Sequence, residues 1–438
     1  MACIKTLKLS TLVMASVFSS ISYGAGFAII EQSVTGLGRA FAGSAAVAED
    51  ASTIFFNPAG LVYLDRAEMD AAINYIAPKS EFNDDSSTVT GSDGGDAGNN
   101  ALVPNFYYAR PINDTTVFGL GISAPFGLVT EYDDDWQGRY HAIKSDLMTI
   151  NINPSLAFKT TDKLSVGFGL SLQYIDLEMT QAVDFGTLCA IAPGGPYACA
   201  NPKNNDGKAK FTADDWGWGF NLGLIYQVTE ATRLAMSYRS KISHHLTGKG
   251  KFYVPNDAVT QAVATASGFT NAAISGDVDL PETASFAIHH QLNEKWAVMG
   301  DASWTRWSRF QELAINSPDP ANKLNSTKEE KWDNSMRYGL GVTYAYNDKW
   351  TLRGGVAFDE TPISDQYRTA RIAGEDRKWI AIGASYKQSD KFTIDAGYTH
   401  IFISDPKIDE TLSPIPHRLS GDFDASVDIL GVQVRWFM

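Results

Sequence analysis

Charge beside apolar surface is the first chemistry this sequence offers. Arg139, His141 and Lys144 fall together in one polar stretch, and Lys328 and Lys331 in another. One or two such cations next to an apolar pocket are what an amphiphile with an anionic head requires. Apolar partners stand in two further stretches. Leu188, Ile191 and Pro193 flank Cys189 and Cys199. Val259, Ala262, Val263 and Ala266 recur at helical spacing behind a candidate N-cap, Asp257. These two faces either cover each other or leave a ligand groove between them.

Catalytic and metal chemistry are poorly served. The sequence holds no phosphate-binding glycine loop, zinc-type His-Glu pattern or nucleophile elbow. His244-His245 and His289-His290 are adjacent pairs in alternating segments, so the members of each pair point to opposite faces and cannot clamp one metal. A lipid hydrolase would need a Ser/His/Asp or Asn set, and His141 is the histidine placed in a loop for it. No catalytic residue, metal site or cofactor is expected. The balance of 36 Lys+Arg against 50 Asp+Glu lacks the clustered basic charge that nucleic acid demands.

The elements that position these residues follow from hydrophobic rhythm. Lys5 and Lys8 precede a largely apolar stretch, and Ser22-Tyr23-Gly24 supplies small residues, so residues 1–24 are expected to be a secretory signal. Cleavage would remove Cys3 and leave Cys189 and Cys199 for a local disulfide in an oxidising compartment. After residue 25 no apolar run of about 20 residues occurs, which excludes a helical membrane span. From Arg66 the chain alternates instead. Leu164, Val166, Phe168, Leu170, Leu172 and Tyr174 are interleaved with Ser165, Gly167, Gly169, Ser171 and Gln173. One face suits lipid and the other a polar lumen.

Six tight turns, such as Thr160-Thr161-Asp162-Lys163, alternate with seven long breaks near 82–100, 127–144, 183–210, 249–277, 310–330, 360–375 and 403–424. This gives about 14 antiparallel strands, with short periplasmic turns and long extracellular loops. The closing strand alternates Val432, Val434, Trp436 and Met438 with Gln433 and Arg435. The expected fold is all-β: a transmembrane barrel over residues 65–438 in a bacterial outer membrane. Residues 25–64 break the rhythm. They are rich in Gly and Ala, with Val34, Leu37 and Phe41 on one short helical face and a break at Asn57-Pro58. A compact helical plug is expected there, with Asn57-Pro58-Ala59 meeting the wall. Gly-rich strand segments at 119–121 and 217–223 fit close packing around it.

These residues resemble the FadL/TodX family of long-chain fatty acid outer-membrane transporters. Ala25-Gly26-Phe27, Gly36-Leu37-Gly38-Arg39-Ala40 and Asn57-Pro58-Ala59 carry the likeness, with Phe126-Gly127-Leu128 and Ala357-Phe358-Asp359 further on. The resemblance implies a barrel closed by an N-terminal hatch. Asn57, Pro58 and Ala59 would lie against a kink near Pro125, Phe126 and Gly127 in a third strand at about 115–126, leaving a gap in the wall. Ligand would be captured between the loops that carry Leu188, Ile191, Val259 and Val263. It would enter a pocket that Phe27 partly occupies, and leave sideways into the membrane. Lys328 matches the family's pocket lysine by its spacing to Arg337-Tyr338-Gly339-Leu340-Gly341, whereas the pocket arginine aligns near Gln181. That substitution leaves room for the family's monoaromatic hydrocarbons as ligands. The implied partners are a hydrophobic small molecule, outer-membrane lipid and lipopolysaccharide, and the barrel-assembly machinery, with the chain as a monomer.

Overall fold

A computed structural model describes residues 26–438. The expected leader and Cys3 lie outside the described residues. In chain order the first strands are β1 Glu68–Asp84, β2 Ala101–Asn113, β3 Thr116–Ser123, its continuation β4 Gly127–Glu131, β5 Lys144–Lys159, β6 Leu164–Asp184 and β7 Asp206–Thr229. Next come β8 Thr232–Arg239 continued by β9 Ile242–Tyr253, β10 Ala272–Leu280 continued by β11 Thr283–Gln291, and β12 Trp296–Thr305. A loop hairpin of β13 Glu312–Ile315 and β14 Ser326–Glu329 follows. The wall resumes with β15 Ser335–Ala345, β16 Trp350–Asp359, β17 Arg377–Ser389, β18 Phe392–Ile403, the short β19 Lys407–Thr411, and β20 Arg418–Phe437.

Counting interrupted strands once, these form a closed antiparallel barrel of 14 strands. Closure has a physical cause. β1 pairs with β2 on one side and β20 on the other, so no strand presents unpaired backbone to lipid. The alternation is as expected. On β6, Ser165, Ser171 and Gln173 face inward and are buried, while Phe168, Leu170 and Leu172 are exposed on the outer face. At the short-turn end Trp296 stacks on Tyr344 and Trp350 packs on Tyr386, part of an aromatic girdle. The long loops are shorter than their polar stretches suggest. Residues 127–131, 206–210, 249–253, 272–277 and 418–424 continue as strand. Outside the lipid both faces of a strand meet water, so the alternation that marks a strand fades before the hydrogen bonding does.

The N-terminal residues fill the lumen. Three single-turn helices, α1 Val34–Leu37, α2 Ser44–Val47 and α3 Thr53–Phe56, precede a 3-10 turn at Pro58–Tyr63. α1 packs on β17, β18 and β20, α2 on β8, β11 and β12, and the 3-10 turn on β3, β5, β6 and β7, so this inner segment touches the wall all the way round. Phe41 does not extend α1. Ala40 and Phe41 turn left-handed and swing the ring inward against Phe56 and Trp379. The break at Asn57 is as expected, with extended backbone between the two turns.

The inner segment is bonded to the wall by polar groups. Arg353 reaches Glu49 at 2.8 Å, and Arg39 also pairs with Glu49. The closing strand takes a large share. Gln433 accepts from the Val34 N–H at 2.9 Å and donates to Asp50 at 3.1 Å. Arg435 donates to the Glu49 carbonyl at 3.3 Å and pairs with Asp395 at 2.9 Å.

Asn57 is the densest tether. Its amide donates to the carbonyls of Ala45, Leu224 and Met236, and its Oδ1 accepts from the Ala59 N–H. Asn57→Ala removes all of these from a fully buried position. It should cost about 1–3 kcal/mol of stability, since buried carbonyls lose their partner. A lowered unfolding temperature of the folded barrel band on gels is the expected result; an unshifted temperature would show that this tether carries no load.

Candidate functional site

The wall is broken where the third strand kinks. β2 pairs with β3 only from Phe106↔Ile122 downward. Beyond Ser123 the chain turns at Ala124-Pro125-Phe126 and rejoins β5 at Gly127↔Met148 as β4. Residues 101–105 of β2 pair with β1 alone, and contact with β4 returns only at the Gly98↔Thr130 bridge. Proline has no N–H to give the ladder, so the break sits where the sequence disfavours pairing. The kinked backbone is satisfied from inside. The Ile29 N–H donates to the Pro125 carbonyl at 2.8 Å, and the Gly127 N–H to the Phe27 carbonyl at 3.0 Å. The Gln32 amide reaches the Ala124 carbonyl at 2.9 Å.

This corrects one expectation. Asn57-Pro58-Ala59 does not pair with the kink. The tripeptide sits against β6, β7 and β8, where Cβ atoms at Gly167 and Gly223 would collide with it. The kink at Pro125, Phe126 and Gly127 is paired by Phe27, Ala28 and Ile29 instead. The wall glycines Gly167 and Gly223 of β6 and β7 let the backbone of this tripeptide approach the wall closely.

Phe27 stands in a box of rings. Its centroid lies 4.9 Å from Trp307, 5.7 Å from Phe310, 5.8 Å from Trp332 and 6.0 Å from Phe126. Below the box is a cavity of about 150 Å³ between the inner segment and the wall, bordered by Ala28, Phe56, Pro58, Phe126, Trp307 and Arg337. Above it, Phe27 and Trp307 belong to one apolar cluster with Leu246, Val278, Leu280 and Ala213. Leu177, Met179, Phe211 and Leu313 continue that lining upward around a narrow space of about 20 Å³.

Met179, Phe211 and Leu313 also border a larger cavity of about 360 Å³ at the long-loop end. Its polar side is crowded with charge. Lys328, on β14, pairs with Glu410, on β19, at 2.5 Å. His141 Nδ1 faces Glu410 Oε2 at 3.1 Å, and its Nε2 faces the His417 carbonyl at 3.1 Å. Burial would raise the Glu410 carboxyl, but His141 and Lys328 pull it down to about 2. Burial pushes Glu330 up to about 8, against the opposing pull of Lys328 and the Trp332 indole. Arg371 is drawn down to about 10 by burial, opposed by Glu410 and Glu330. Its Nη2 donates to the Gln181 side chain at 2.6 Å. A cation therefore stands at Gln181 after all, supplied by the loop between β16 and β17. Nothing in the spacing around Arg371 points to this, because the contact spans 190 residues.

The other candidates fall elsewhere. α4 Phe185–Ile191 and α5 Ala258–Ala266 pack on each other, with Asp257 capping α5 as expected. Leu188 and Val263 join the Cys189–Cys199 disulfide in a small apolar cluster. Ile191 and Val259 are exposed, and none of these four borders a described cavity. Mutual cover is thus what the two apolar faces provide. Arg139 is committed to Asp206 at 2.8 Å, Lys144 to Asp146 at 3.2 Å, and Lys331 to Glu329 at 2.8 Å. His141 has both ring nitrogens against acceptors and neither against a serine, so it forms no hydrolase triad.

A closed, even-stranded barrel with a filled lumen and cavities stacked along one inner wall defines an outer-membrane transport barrel. A model for the outer membrane protein transport protein family (OMPP1/FadL/TodX) matches residues 15–437, and the chain belongs to that family. The long-chain fatty acid transport protein of Salmonella typhi is 31% identical over 409 residues, covering 91% of this chain and 92% of that protein. The crystal structure of a Pseudomonas aeruginosa FadL homologue superposes with a TM-score of 0.87 at 27% identity, over 94% of this chain and 100% of that one. The Ralstonia pickettii toluene transporter TbuX shares the fold, with a TM-score of 0.68 at 20% identity over 94% and 99% of the two chains.

The Trp332 indole donates to Glu330 at 3.1 Å. Loss of the Glu330 proton should therefore alter tryptophan emission, with a midpoint near pH 8. Glu330→Gln should abolish that transition. An emission profile flat from pH 6 to 10 in the native protein would mean that the carboxyl is not held protonated.

Proposed function

We propose that the protein carries long-chain fatty acids inward across the outer membrane by passive flow. The continuous apolar lining supports this: it starts beside Lys328 and Arg371, passes the Phe27 box, and reaches the wall break at Pro125. The carboxylate would be held at the long-loop end and the tail would lie along the lining. Each methylene kept out of water is worth about 0.8 kcal/mol. The inner segment acts as a hatch. Phe27 occupies the path and gives way to ligand, and the ligand leaves sideways through the gap between β2 and β4. Because Phe27 and Ile29 pair with the kink through their backbones, displacing them both empties the box and frees the gap.

A second reading is uptake of monoaromatic hydrocarbons. It is favoured by the internal pairing of Lys328 with Glu410, which leaves the cavity's charge partly neutralised. Calorimetry on the purified barrel separates the two. Lys328→Ala should weaken oleate binding about ten-fold, or about 1.4 kcal/mol, and toluene binding less than about two-fold. Toluene binding without any oleate binding or competition would install the second reading.

Phe27→Ala should tighten oleate binding by removing an internal competitor and change the uptake rate of expressing cells. Unchanged binding and uptake would take Phe27 off the path.

A further inference from the structure

The kink at Pro125 is not the only place where the ladder parts. β7 pairs with β8 as far as Asn221↔Arg239, and pairing with β9 resumes only at Asp214↔Thr247. Residues 215–220 and 240–246 face each other with no ladder pair between them. On its other side β7 is paired with β6 throughout this stretch. The parting is stitched at both ends. The Ser240 N–H donates to the Phe220 carbonyl at 2.8 Å, and the Phe220 N–H to Ser240 Oγ at 2.9 Å. At the other end Asp215 Oδ2 accepts from the His245 N–H at 3.0 Å.

Between the stitches the wall is shut by side chains. A Cβ built on Gly217 would stand 2.6 Å from Ile242 Cγ2 and 2.7 Å from His244 Cε1, and one on Gly219 would stand 2.8 Å from Ile242 Cγ1. Ile242 and His244 therefore lie directly over two bare glycines. The His244 ring is buried, with Nδ1 3.2 Å from Asp215 Oδ2 and Nε2 3.1 Å from Gln173 Oε1. On the lumenal side, Leu246 and Leu280 belong to the apolar cluster that holds Phe27 and Trp307. On the outer side, Trp216 and Trp218 are 54% and 73% exposed. Neighbouring outward groups are charged: Lys241 pairs with Asp279 at 2.8 Å and His245 with Asp277 at 2.6 Å. Exposed tryptophan beside paired charge marks the head-group layer rather than the hydrocarbon.

We propose that this seam between β7 and β9 is a second side portal. Through it a single-headed amphiphile passes between the lumen and the head-group layer of the outer leaflet. The inference rests on the transport reading above. Ile242 is the movable seal. Leu246 and Leu280 guide the tail, and Gln173, Asp215 and His244 offer hydrogen bonds to the head. The two portals differ in construction. At the kink a backbone segment must unpair; at the seam only two side chains must rotate.

The Gly219 geometry permits a lock. Cysteines at 219 and 242 would bring their Cβ atoms near the 3.5–4.5 Å span of a disulfide. Oleate uptake is measured in cells expressing Gly219→Cys/Ile242→Cys, oxidised and then reduced, with the native protein treated identically to account for Cys189–Cys199. The oxidised pair should take up oleate about two-fold more slowly than the reduced pair. Equal rates, with the bond verified by mass spectrometry, overturn the portal. Ile242→Ala/His244→Ala removes the seal and should raise uptake about two-fold. An unchanged rate overturns the portal even if the cysteine pair fails to oxidise. Native protein that neither binds nor takes up oleate would sink the transport reading itself. Native uptake that ignores both variants sinks only the seam.

Discussion

In hydrocarbon there is no water to satisfy a backbone N–H or carbonyl, and each orphan costs several kcal/mol. That constraint shapes this molecule more than any side chain does. It closes the sheet at β1 and β20, and it governs how the sheet can be opened. Where β3 gives way to β4, the missing partners are made good by the backbone of residues 27–29 and by Gln32 from inside the barrel. Where β7 parts from β9, Ser240 and Asp215 take over the ends of the break. A hole in such a wall is tolerable only because something else is bonded across its margin.

The lumen obeys a related rule. The inner segment is polar enough at its backbone to need partners and apolar enough at its side chains to need cover. Glycines in β6 and β7 admit the Asn57 region to direct backbone contact, while Arg353, Arg435 and Gln433 tie down residues 34–50. The cavity beside the inner segment runs from Asn221 on β7 round to Trp379 on β17, interleaved with the bonds that Asn221, Arg239 and Asp301 make to that segment. Ligand space and mechanical anchoring thus share one stretch of wall, with the same residues lining the cavity and holding the inner segment.

Much of this was legible in the sequence. Period-two alternation and turn chemistry gave the strand number, because lipid and lumen impose opposite polarity on successive residues. Pro125 marked the kink for a local reason, the absent N–H. Contacts between distant strands were not legible. The resemblance put Asn57 at the kink; its partners, Leu224 and Met236, are far along the chain, and the glycines at 217–223 marked close packing around the plug without saying which inner residue meets them. Arg371 was missed because Gln181 read as the loss of a cation, and its replacement comes from another loop. The apolar faces of α4 and α5 were correctly seen, but periodicity cannot say whether a face is covered by ligand or by its neighbour.

The bonds from β20 to the interior bear on how the molecule is made. Residues 34–50 are synthesised long before Gln433 and Arg435, yet the last strand's inward side chains find their partners on them. A cylinder shut around an empty centre would leave an arginine and an amide facing a void beside the final seam. The inward side chains at that seam are therefore fully partnered only with the interior in place. The strand that completes the circumference is thus also one that grips the contents.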